Sequence, residues 1–394
     1  MSRPRPLTTR AQLAALAVAA LVTGTLAGCG TPSAPETYTP YSIGPSTPTP
    51  TASPAPTSVV PTGSPTDVVT GLASPWSILR VSPDLTLVSE RDSGVVEQVT
   101  ASGALVKIGK VPGVVHNGEG GLLGLAFLEA TGGSRVSWLY AYETTATDNR
   151  IVRMLLSNSG DTLTIGPPHI ILKGLATANH HDGGRIAFGP DGMLYATVGD
   201  AGVTSRSQDL SSLNGKILRM TPIGGVPADN PFPGSLIWSY GHRNPQGLAW
   251  DASGQLYAAE FGQNTWDEFN KITAGANYGW PIVEGIAHDS RFVDPLVQWH
   301  TDQASPSGLA YIDGTFFLAG LGGKRLWVIN VDAAGAATAS ALYAGKYGRL
   351  RDVTAGPDSG STPSLWILTD NTDGRGSPKP GDDRILQVAL EAAK

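Results

Sequence analysis

The segment GGRIAFGPDGMLYATVGD, residues 183–200, contains two short apolar runs on either side of the tripeptide PDG. Pro, Asp and Gly are turn residues, and such a turn between two β-rich runs indicates a hairpin. Related segments occur elsewhere in the chain at 74–91, 121–144, 245–262, 306–323 and 349–371. The sequence therefore repeats one β-rich unit six times, the copy nearest the N-terminus being the most divergent.

The spacing of the copies indicates their architecture. One aliphatic landmark recurs as Leu125, Ile186, Leu248 and Leu309, in steps of 61, 62 and 61 residues. Such a period has room for four strands and a loop, and six copies predict an all-β, six-bladed β-propeller. A β-sandwich with accidental self-similarity is the alternative. The repeats contain no convincing amphipathic helix, which argues against an α/β fold.

Composition narrows the class of protein. The chain has 394 residues, including 49 Gly and 30 Pro, and its net charge is −6. This charge argues against nonspecific nucleic-acid binding, which usually needs a basic patch. The single cysteine, Cys29, excludes an intrachain disulfide.

The N-terminus reads as an export signal. Three arginines within residues 1–10 precede an apolar run, and Leu26-Ala27-Gly28-Cys29 resembles a bacterial lipobox. We therefore expect a signal peptide over 1–28, lipidation of Cys29, and a lipid anchor as the chain's membrane attachment, on the extracytoplasmic face. An ordinary signal peptide cleaved nearby and a short transmembrane anchor remain alternatives.

A segment rich in Pro, Thr and Ser follows the cysteine. Such a composition buries too little apolar surface to fold, so residues 29–66 are predicted to be a tether. At the rise of polyproline II it would span roughly 100 Å. The propeller domain is predicted over 67–394.

Several ionisable residues interrupt the repeat where inner strands begin and end. They include His181, Asp200, Arg243, Arg349 and Arg351. In a propeller these positions face one central cavity. Burying several guanidinium groups is costly without an anion, so the pattern predicts a planar, polyanionic ligand. Acidic side chains and carbonyl oxygens near 262–268 suit Ca²⁺, although they could also form a solvated loop.

The ordered motifs HDGGRIAFGPDG, NGKILRM, GHRNPQGLAW, NYGWP and GRLRDV resemble a known family. They are similar to the soluble sugar dehydrogenases that depend on pyrroloquinoline quinone (PQQ), namely the glucose/sorbosone and aldose sugar dehydrogenases. The resemblance covers about 70–390. It implies a six-bladed propeller that uses PQQ and Ca²⁺ to oxidise the C1 hydroxyl of an aldose to a lactone.

The resemblance also implies catalytic roles. His181, four residues before the arginine of H-x-x-G-R, matches the base that takes the proton from the anomeric hydroxyl while hydride passes to PQQ. Asp200 matches the carboxylate that orients this imidazole. Arg243 and Asn244 match the pair that contacts quinone and carboxylate oxygens.

Further cofactor contacts follow from the same resemblance. Arg349 and Arg351 match a clamp on the PQQ carboxylates. Glu119 occupies a position where the family usually has Gln, and its carboxylate would repel PQQ unless protonated or paired. Lys324 is the nearest counterpart of a family lysine in the fifth blade, although it is out of register.

Calcium ligands are implied in the fourth blade. Carbonyl groups of Gly262 and Gln263 match the ligands of the PQQ-bound Ca²⁺, which would act as a Lewis acid. A second, structural Ca²⁺ would use Asp267 or Glu268 and the Tyr278 carbonyl.

Two other function classes stay open at this stage. One is a non-catalytic cell-surface binding module, to which Glu119 points, and the other is a Ca²⁺-dependent lactone hydrolase. For the dehydrogenase, the absence of CxxCH predicts a separate electron acceptor. The candidates for stacking against a sugar are Trp238, Trp266, Trp280 and Trp299.

Overall fold

The structure is a computed structural model that describes residues 58–129, 137–159, 162–358 and 362–393. The described residues form 25 strands and one 3₁₀ turn, Thr204–Ser207. The predicted signal peptide, Cys29 and most of the predicted tether lie outside these ranges. No helix within them has the length and hydropathy to cross a bilayer.

The first half of the described chain contains strands β1 to β14. In order they are Val59–Thr70, Pro75–Ser82, Leu85–Glu90, Val95–Val99, Leu105–Lys110, Leu122–Leu128, Ser137–Thr144, Asn149–Ser159, Thr162–Ile165, His169–Leu175, Ile186–Phe188, Leu194–Val198, Lys216–Met220 and Ile237–Tyr240. The second half contains β15 to β25. These are Pro245–Trp250, Leu256–Glu260, Trp266–Lys271, Val297–His300, Pro306–Ile312, Thr315–Gly320, Arg325–Val331, Ala337–Leu342, Leu350–Ala355, Ser364–Thr369 and Arg384–Ala392.

These strands form six antiparallel sheets among the described residues, which confirms the predicted six-bladed propeller. The sheet orders are β2-β3-β4-β5, β6-β7-β8-β10 with β9 on β8, β11 to β14, β15 to β18, β19 to β22, and β23-β24-β25-β1. The first strand of each sheet contacts its counterpart in a neighbouring sheet, as β2 does with β6 and β23. Residues that precede these inner strands are therefore brought to one end of the ring.

The opening segment forms the predicted hairpin. Ile186 of β11 pairs with Ala196 of β12. In the turn, Asp191 Oδ1 accepts the N–H of Met193 at 3.1 Å, and Gly192 has a φ of +74°. Glycine adopts this left-handed conformation without the steric cost that a Cβ would add. The local sequence thus specifies the reversal.

The domain boundary differs from the expected one. Strand β1 begins at Val59, so residues 59–66 belong to the sixth blade and not to the tether. Val59 pairs with Ala392 of β25, and its N–H donates to Thr315 Oγ1 at 2.9 Å. Because β1 lies at the sheet edge, Pro61 and Pro65 remove no hydrogen bond that the sheet requires. The proline content concealed a strand that joins the N-terminal part of the domain to its last blade.

Apolar side chains fill the spaces between neighbouring sheets. One cluster joins Tyr140 of the second blade to Ile186 and Leu218 of the third. In the channel, Arg185 donates to Asp352 Oδ2 at 2.9 Å, and the same oxygen accepts the N–H of Ile78. These two hydrogen bonds connect strand β2, strand β23 and the residue that precedes β11 across the channel.

Candidate active site

His181 and Asp200 form a buried pair beside the hub. The loop before β11 carries His181, and Asp200 follows β12, so the hairpin brings them together although 19 residues separate them. His181 Nδ1 lies 2.7 Å from Asp200 Oδ1. Asp200 also accepts hydrogen bonds from Gly202 N at 2.8 Å and Trp280 Nε1 at 2.9 Å. These contacts hold the carboxylate in a single orientation.

The surroundings of Asp200 keep it ionised. Burial alone would raise the pKa of this carboxyl, but hydrogen bonds from His181, Trp280 and Gly202 lower it below the ordinary value. An ionised Asp200 accepts a hydrogen bond from the N–H at His181 Nδ1, which leaves Nε2 as the nitrogen with a free lone pair. No hydrogen bond to Nε2 occurs among the described residues. The imidazole can therefore accept a proton from a bound hydroxyl.

The backbone of His181 has a left-handed φ of +61°. For a non-glycine residue this conformation costs about 1 kcal/mol or more. The carboxylate of Glu119 accepts the His181 N–H at 2.8 Å and so helps to hold the conformation. Gly118 permits this approach, since a Cβ there would lie 2.0 Å from the Asn179 carbonyl oxygen.

Arg243 and Asn244 also lie next to the His181–Asp200 pair. The Arg243 carbonyl accepts the Asp200 N–H at 2.8 Å, and its guanidinium lies 5.6 Å from the centre of the Trp280 ring. Asn244 Oδ1 accepts the Gly183 N–H at 3.0 Å, and its Nδ2 lies 3.4 Å from Glu119. Both residues thus share partners with His181.

Arg349 and Arg351 have acidic partners within the protein. Arg349 lies 2.7 Å from Asp373 Oδ2, and Arg351 donates to Asp370 Oδ2 at 2.8 Å. Burial raises the pKa of Asp370 to about 6 despite Arg351. Contrary to the expectation from the sequence, these guanidinium groups do not depend on an external anion, because loop residues 370–373 supply carboxylates that the repeat pattern did not reveal.

A small cavity at the hub connects the two groups of residues. Glu119, which contacts His181, and Arg351 both line it, together with Trp76, Arg91 and Arg375. Arg349 joins through Asp373, which lies 3.8 Å from Arg351. The structure therefore brings His181, Asp200, Glu119, Arg243, Asn244, Arg349 and Arg351 into one contiguous network.

Lys324 does not join this network. It is exposed at the turn between β20 and β21, with a φ of +50°. It lines a separate groove of about 340 Å³ between the fifth and sixth blades, which shares no lining residue with the hub cavity. The structure does not support the expected role of Lys324 at the hub, because this left-handed turn places it in the separate groove.

The four candidate tryptophans separate into two groups. Trp280 contacts Asp200 and Arg243. The others pack elsewhere: Trp238 against Tyr195, Trp266 on His300 and Trp299 against Trp327. Of these four tryptophans only Trp280 contacts the His181–Asp200 site, so we keep Trp280 as the candidate for contact with a substrate.

An acidic cavity lies next to Arg243. It is lined by Gly262, Tyr278, Glu260, Glu268 and Glu284. Burial and the nearby Glu260 raise the pKa of Glu268. A divalent cation would stabilise these carboxylates, and they are hard oxygen ligands of the kind Ca²⁺ takes. The cavity thus fits a structural Ca²⁺ held by Glu268 and the Tyr278 carbonyl.

Asp267 does not line this cavity. Its two oxygens accept N–H groups of Gly262 at 2.9 Å and Ser305 at 2.6 Å. Its pKa is raised to about 7 by burial. Of the two carboxylates considered for the second cation, the structure favours Glu268, because Glu268 lines the acidic cavity and Asp267 does not.

The loop after β16 leaves two carbonyl groups available. Four successive N–H groups, from 263 to 266, converge on one oxygen of Glu284 at 2.7–3.2 Å. No hydrogen bond to the carbonyl oxygens of Gly262 or Gln263 is found in the described part of the chain. These oxygens fit the pair expected to hold the cofactor's Ca²⁺. Throughout the described ranges, no three His, Cys, Asp or Glu side chains are arranged to hold a metal by themselves.

The sequence of this chain matches a known protein family. Residues 72–378 match the family described as Glucose / Sorbosone dehydrogenase. The chain belongs to this family. The match covers the first five blades in full and strands β23 and β24 of the sixth.

Similar proteins include one with a solved structure and two that were compared by sequence. The PQQ-bound aldose sugar dehydrogenase of Streptomyces coelicolor is 50% identical, with a TM-score of 0.78, over 86% of this chain and all of that one. Aldose sugar dehydrogenase YliI of Escherichia coli is 30% identical over 77% of this chain and 89% of its own. Quinoprotein glucose dehydrogenase B of Acinetobacter calcoaceticus is 34% identical over 57% of this chain and 54% of its own.

Sequence reasoning missed five polar residues of this family member's site. They are Glu260, Glu284, Asp370, Asp373 and Arg375, and they lie in loops or at a strand end. Nothing in the repeat pattern distinguished them from solvated loop charges. The one available signal was the high density of Asp and Arg in residues 370–384.

Proposed function

We propose that the protein is a PQQ- and Ca²⁺-dependent dehydrogenase that oxidises the C1 hydroxyl of aldose sugars to lactones. The observation that carries this proposal is the His181–Asp200 pair at 2.7 Å within a network of arginines, on a chain of this family. A base beside a hub lined by guanidinium groups is the arrangement that the chemistry needs. The PQQ-bound relative supports the choice of cofactor.

His181 acts as the general base. Nε2 accepts the proton of the anomeric hydroxyl, and Asp200 stabilises the imidazolium that results because its carboxylate is ionised and faces Nδ1. Bound PQQ with its Ca²⁺ supplies the acceptor for the hydride that leaves C1. The indole of Trp280 fixes the second oxygen of Asp200, so the imidazole keeps its orientation throughout.

The arginines and the loop after β16 would bind the cofactor. Arg243, Arg349 and Arg351 would hold its carboxylate and quinone oxygens, with Asn244 beside them. Gly262 and Gln263 would supply carbonyl ligands to the associated Ca²⁺. Because Arg349 and Arg351 already have acidic partners, cofactor carboxylates bind to a nearly neutral cluster and not to bare positive charge.

The structure does not favour the two alternatives. The binding-module hypothesis rested on Glu119, but Arg375 pairs with this carboxylate at 2.8 Å. The lactone-hydrolase hypothesis requires a channel metal site built mainly from Glu, Asn and Asp. Within the described ranges the channel instead contains the Arg185–Asp352 pair. Membership of the dehydrogenase family makes oxidation the better assignment.

We also propose that the enzyme is exported, lipid-anchored through Cys29, and passes electrons to a separate acceptor. Support comes from the sequence of residues 1–29, with three arginines, an apolar run and a lipobox-like ending. Metabolic labelling with a palmitate analogue tests the anchor. Labelling of wild type but not of Cys29→Ser is expected, and equal labelling of both would contradict it.

Reconstitution tests the catalytic proposal. Apoprotein mixed with PQQ and CaCl₂ should quench tryptophan fluorescence and reduce an artificial dye when glucose or another aldose is added. His181→Ala should lose about 10²-fold or more in kcat, because general-base catalysis contributes about 10²–10⁴. His169→Ala, on the exposed strand β10, serves as the matched control and should behave as wild type.

Two results would contradict the proposal. If wild type neither binds PQQ nor reduces dye with any aldose, the assigned function is wrong. If dye reduction survives in His181→Ala at the wild-type rate, the assigned base is wrong.

A further inference from the structure

Glu119 places a carboxylate among groups assigned to an anionic cofactor. One of its oxygens accepts the His181 N–H at 2.8 Å and lies 3.4 Å from Asn244 Nδ2. The side chain also lines the hub cavity with Arg351. PQQ has three carboxylates, and an unpaired negative charge at this position would repel them.

Arg375 pairs with the other oxygen of Glu119. Its Nη1 lies 2.8 Å from Glu119 Oε1, and the acid is 19% exposed. Arg375 also lines the hub cavity. Burial would raise the pKa of Glu119, but the hydrogen bond and charge of Arg375 lower it, with help from the His181 N–H. The carboxylate is thus ionised and neutralised by one partner.

The loop that carries Arg375 is connected to the arginine clamp. Asp373 Oδ1 accepts the N–H groups of Arg375 at 2.8 Å and Gly376 at 3.0 Å. Asp373 Oδ2 accepts from Arg349 Nε at 2.8 Å. A continuous set of contacts therefore runs from the Arg349 guanidinium, through this loop and Glu119, to the backbone of His181.

We propose that Glu119 is a positioning residue for His181, and that Arg375 acts through Glu119 by neutralising its charge, which makes a carboxylate at this position compatible with PQQ. The inference rests on the proposed function. A carboxylate holds the His181 N–H more strongly than a neutral acceptor, because charge-assisted hydrogen bonds are stronger. Its cost is repulsion of the cofactor, and Arg375 removes that cost.

This inference predicts that a second substitution restores the PQQ affinity that the first one removes. Arg375→Gln should raise the PQQ Kd about tenfold or more, because the Glu119 carboxylate then faces the cofactor unpaired. Adding Glu119→Gln to that variant should lower the Kd again, about tenfold, although it removes a second side-chain charge. Arg375→Lys keeps the charge and should bind PQQ more tightly than Arg375→Gln.

The measurement is PQQ affinity with CaCl₂ present, from quenching of tryptophan fluorescence, with thermal unfolding of each apoprotein. Arg291→Gln is the matched control. Arg291 forms an ion pair with Asp289 at 2.6 Å in an exposed loop, and its loss should not change the Kd.

The possible results separate failure of this inference from failure of the proposed function. If Glu119→Gln/Arg375→Gln binds PQQ as weakly as Arg375→Gln, or if Arg375→Gln binds as wild type does, the inference is overturned while the proposed function survives. If wild type itself does not bind PQQ, the proposed function fails, and the inference fails with it. A role of Arg375 in folding alone would make the double variant no better than the single one.

Discussion

Replacing Asp200 by Asn tests the central pair of the site. The carboxylate accepts three N–H groups, from His181 Nδ1, Gly202 and Trp280 Nε1, at 2.7, 2.8 and 2.9 Å. An amide has one acceptor oxygen and one NH₂ group, so it cannot satisfy all three donors. Either Trp280 or His181 must then face an NH₂ group.

Both orientations of the amide impair the base. If the NH₂ group faces His181, the imidazole proton moves to Nε2, which can no longer accept a proton. If it faces Trp280, the imidazole keeps its tautomer but loses the negative charge that stabilises the imidazolium. General-base catalysis is worth about 10²–10⁴ in rate. We therefore expect kcat to fall by about 10²–10⁴, equivalent to about 3–5 kcal/mol.

The assay is steady-state dye reduction at saturating PQQ, Ca²⁺ and sugar, alongside the PQQ Kd and the unfolding temperature. The loss should appear mainly in kcat. Asp251→Asn is a matched control, because Asp251 also accepts backbone N–H groups but lies in the β15–β16 turn at the far end of its blade. A kcat for Asp200→Asn within fivefold of wild type would refute the assignment of His181 as an oriented base.

Three further perturbations test other parts of the molecule. Burial raises the pKa of Glu143 to about 7, so the free energy of unfolding should fall as pH rises from about 4.5 to 7. Glu143→Gln should remove this fall, which is at most about 3 kcal/mol. Chemical denaturation at pH 5 and pH 8 measures it. Chelation of Ca²⁺ by EGTA should lower the unfolding temperature of wild type more than that of Glu268→Gln, because the variant lacks a buried carboxylate beside Glu260 that needs the cation. Deleting residues 1–70 removes β1 and the burial of Val59 and Val69. Calorimetry should show that this variant is at least about 3 kcal/mol less stable than a variant that lacks only residues 1–57. Equal stabilities would contradict the conclusion that β1 completes the sixth blade.

The fold could be predicted because its signals are local and repeated. A hairpin such as β11–β12 follows from alternation and from the turn around Gly192, and six copies of it permit few closed arrangements. The N-terminal boundary could not be predicted in this way. Pro61 and Pro65 are compatible with strand β1 because of its edge position, which depends on β25 more than 300 residues later.

The site was predictable only in part. His181, Asp200, Arg243 and Arg351 interrupt a repeat that otherwise offers small or apolar residues, and the sequence alone marks such interruptions. The partners of these groups carry no comparable signal, since Arg375 and its neighbours occupy a loop where charged residues are ordinary. Lys324 shows the reverse case, because a charge near the expected position in the sequence lines another groove.

The sequence by itself determined the number of blades and the ends of strands that carry ionisable groups, and its resemblance to a known family singled out His181 as the candidate base. Only the tertiary structure decided which charges neutralise one another. Glu119 and Arg375 are 256 residues apart yet form an ion pair at 2.8 Å, because closure of the ring brings the second and sixth blades to the same channel mouth. Electrostatic energy depends on distance in space, and in a closed ring that distance is set by packing between sheets and not by separation along the chain.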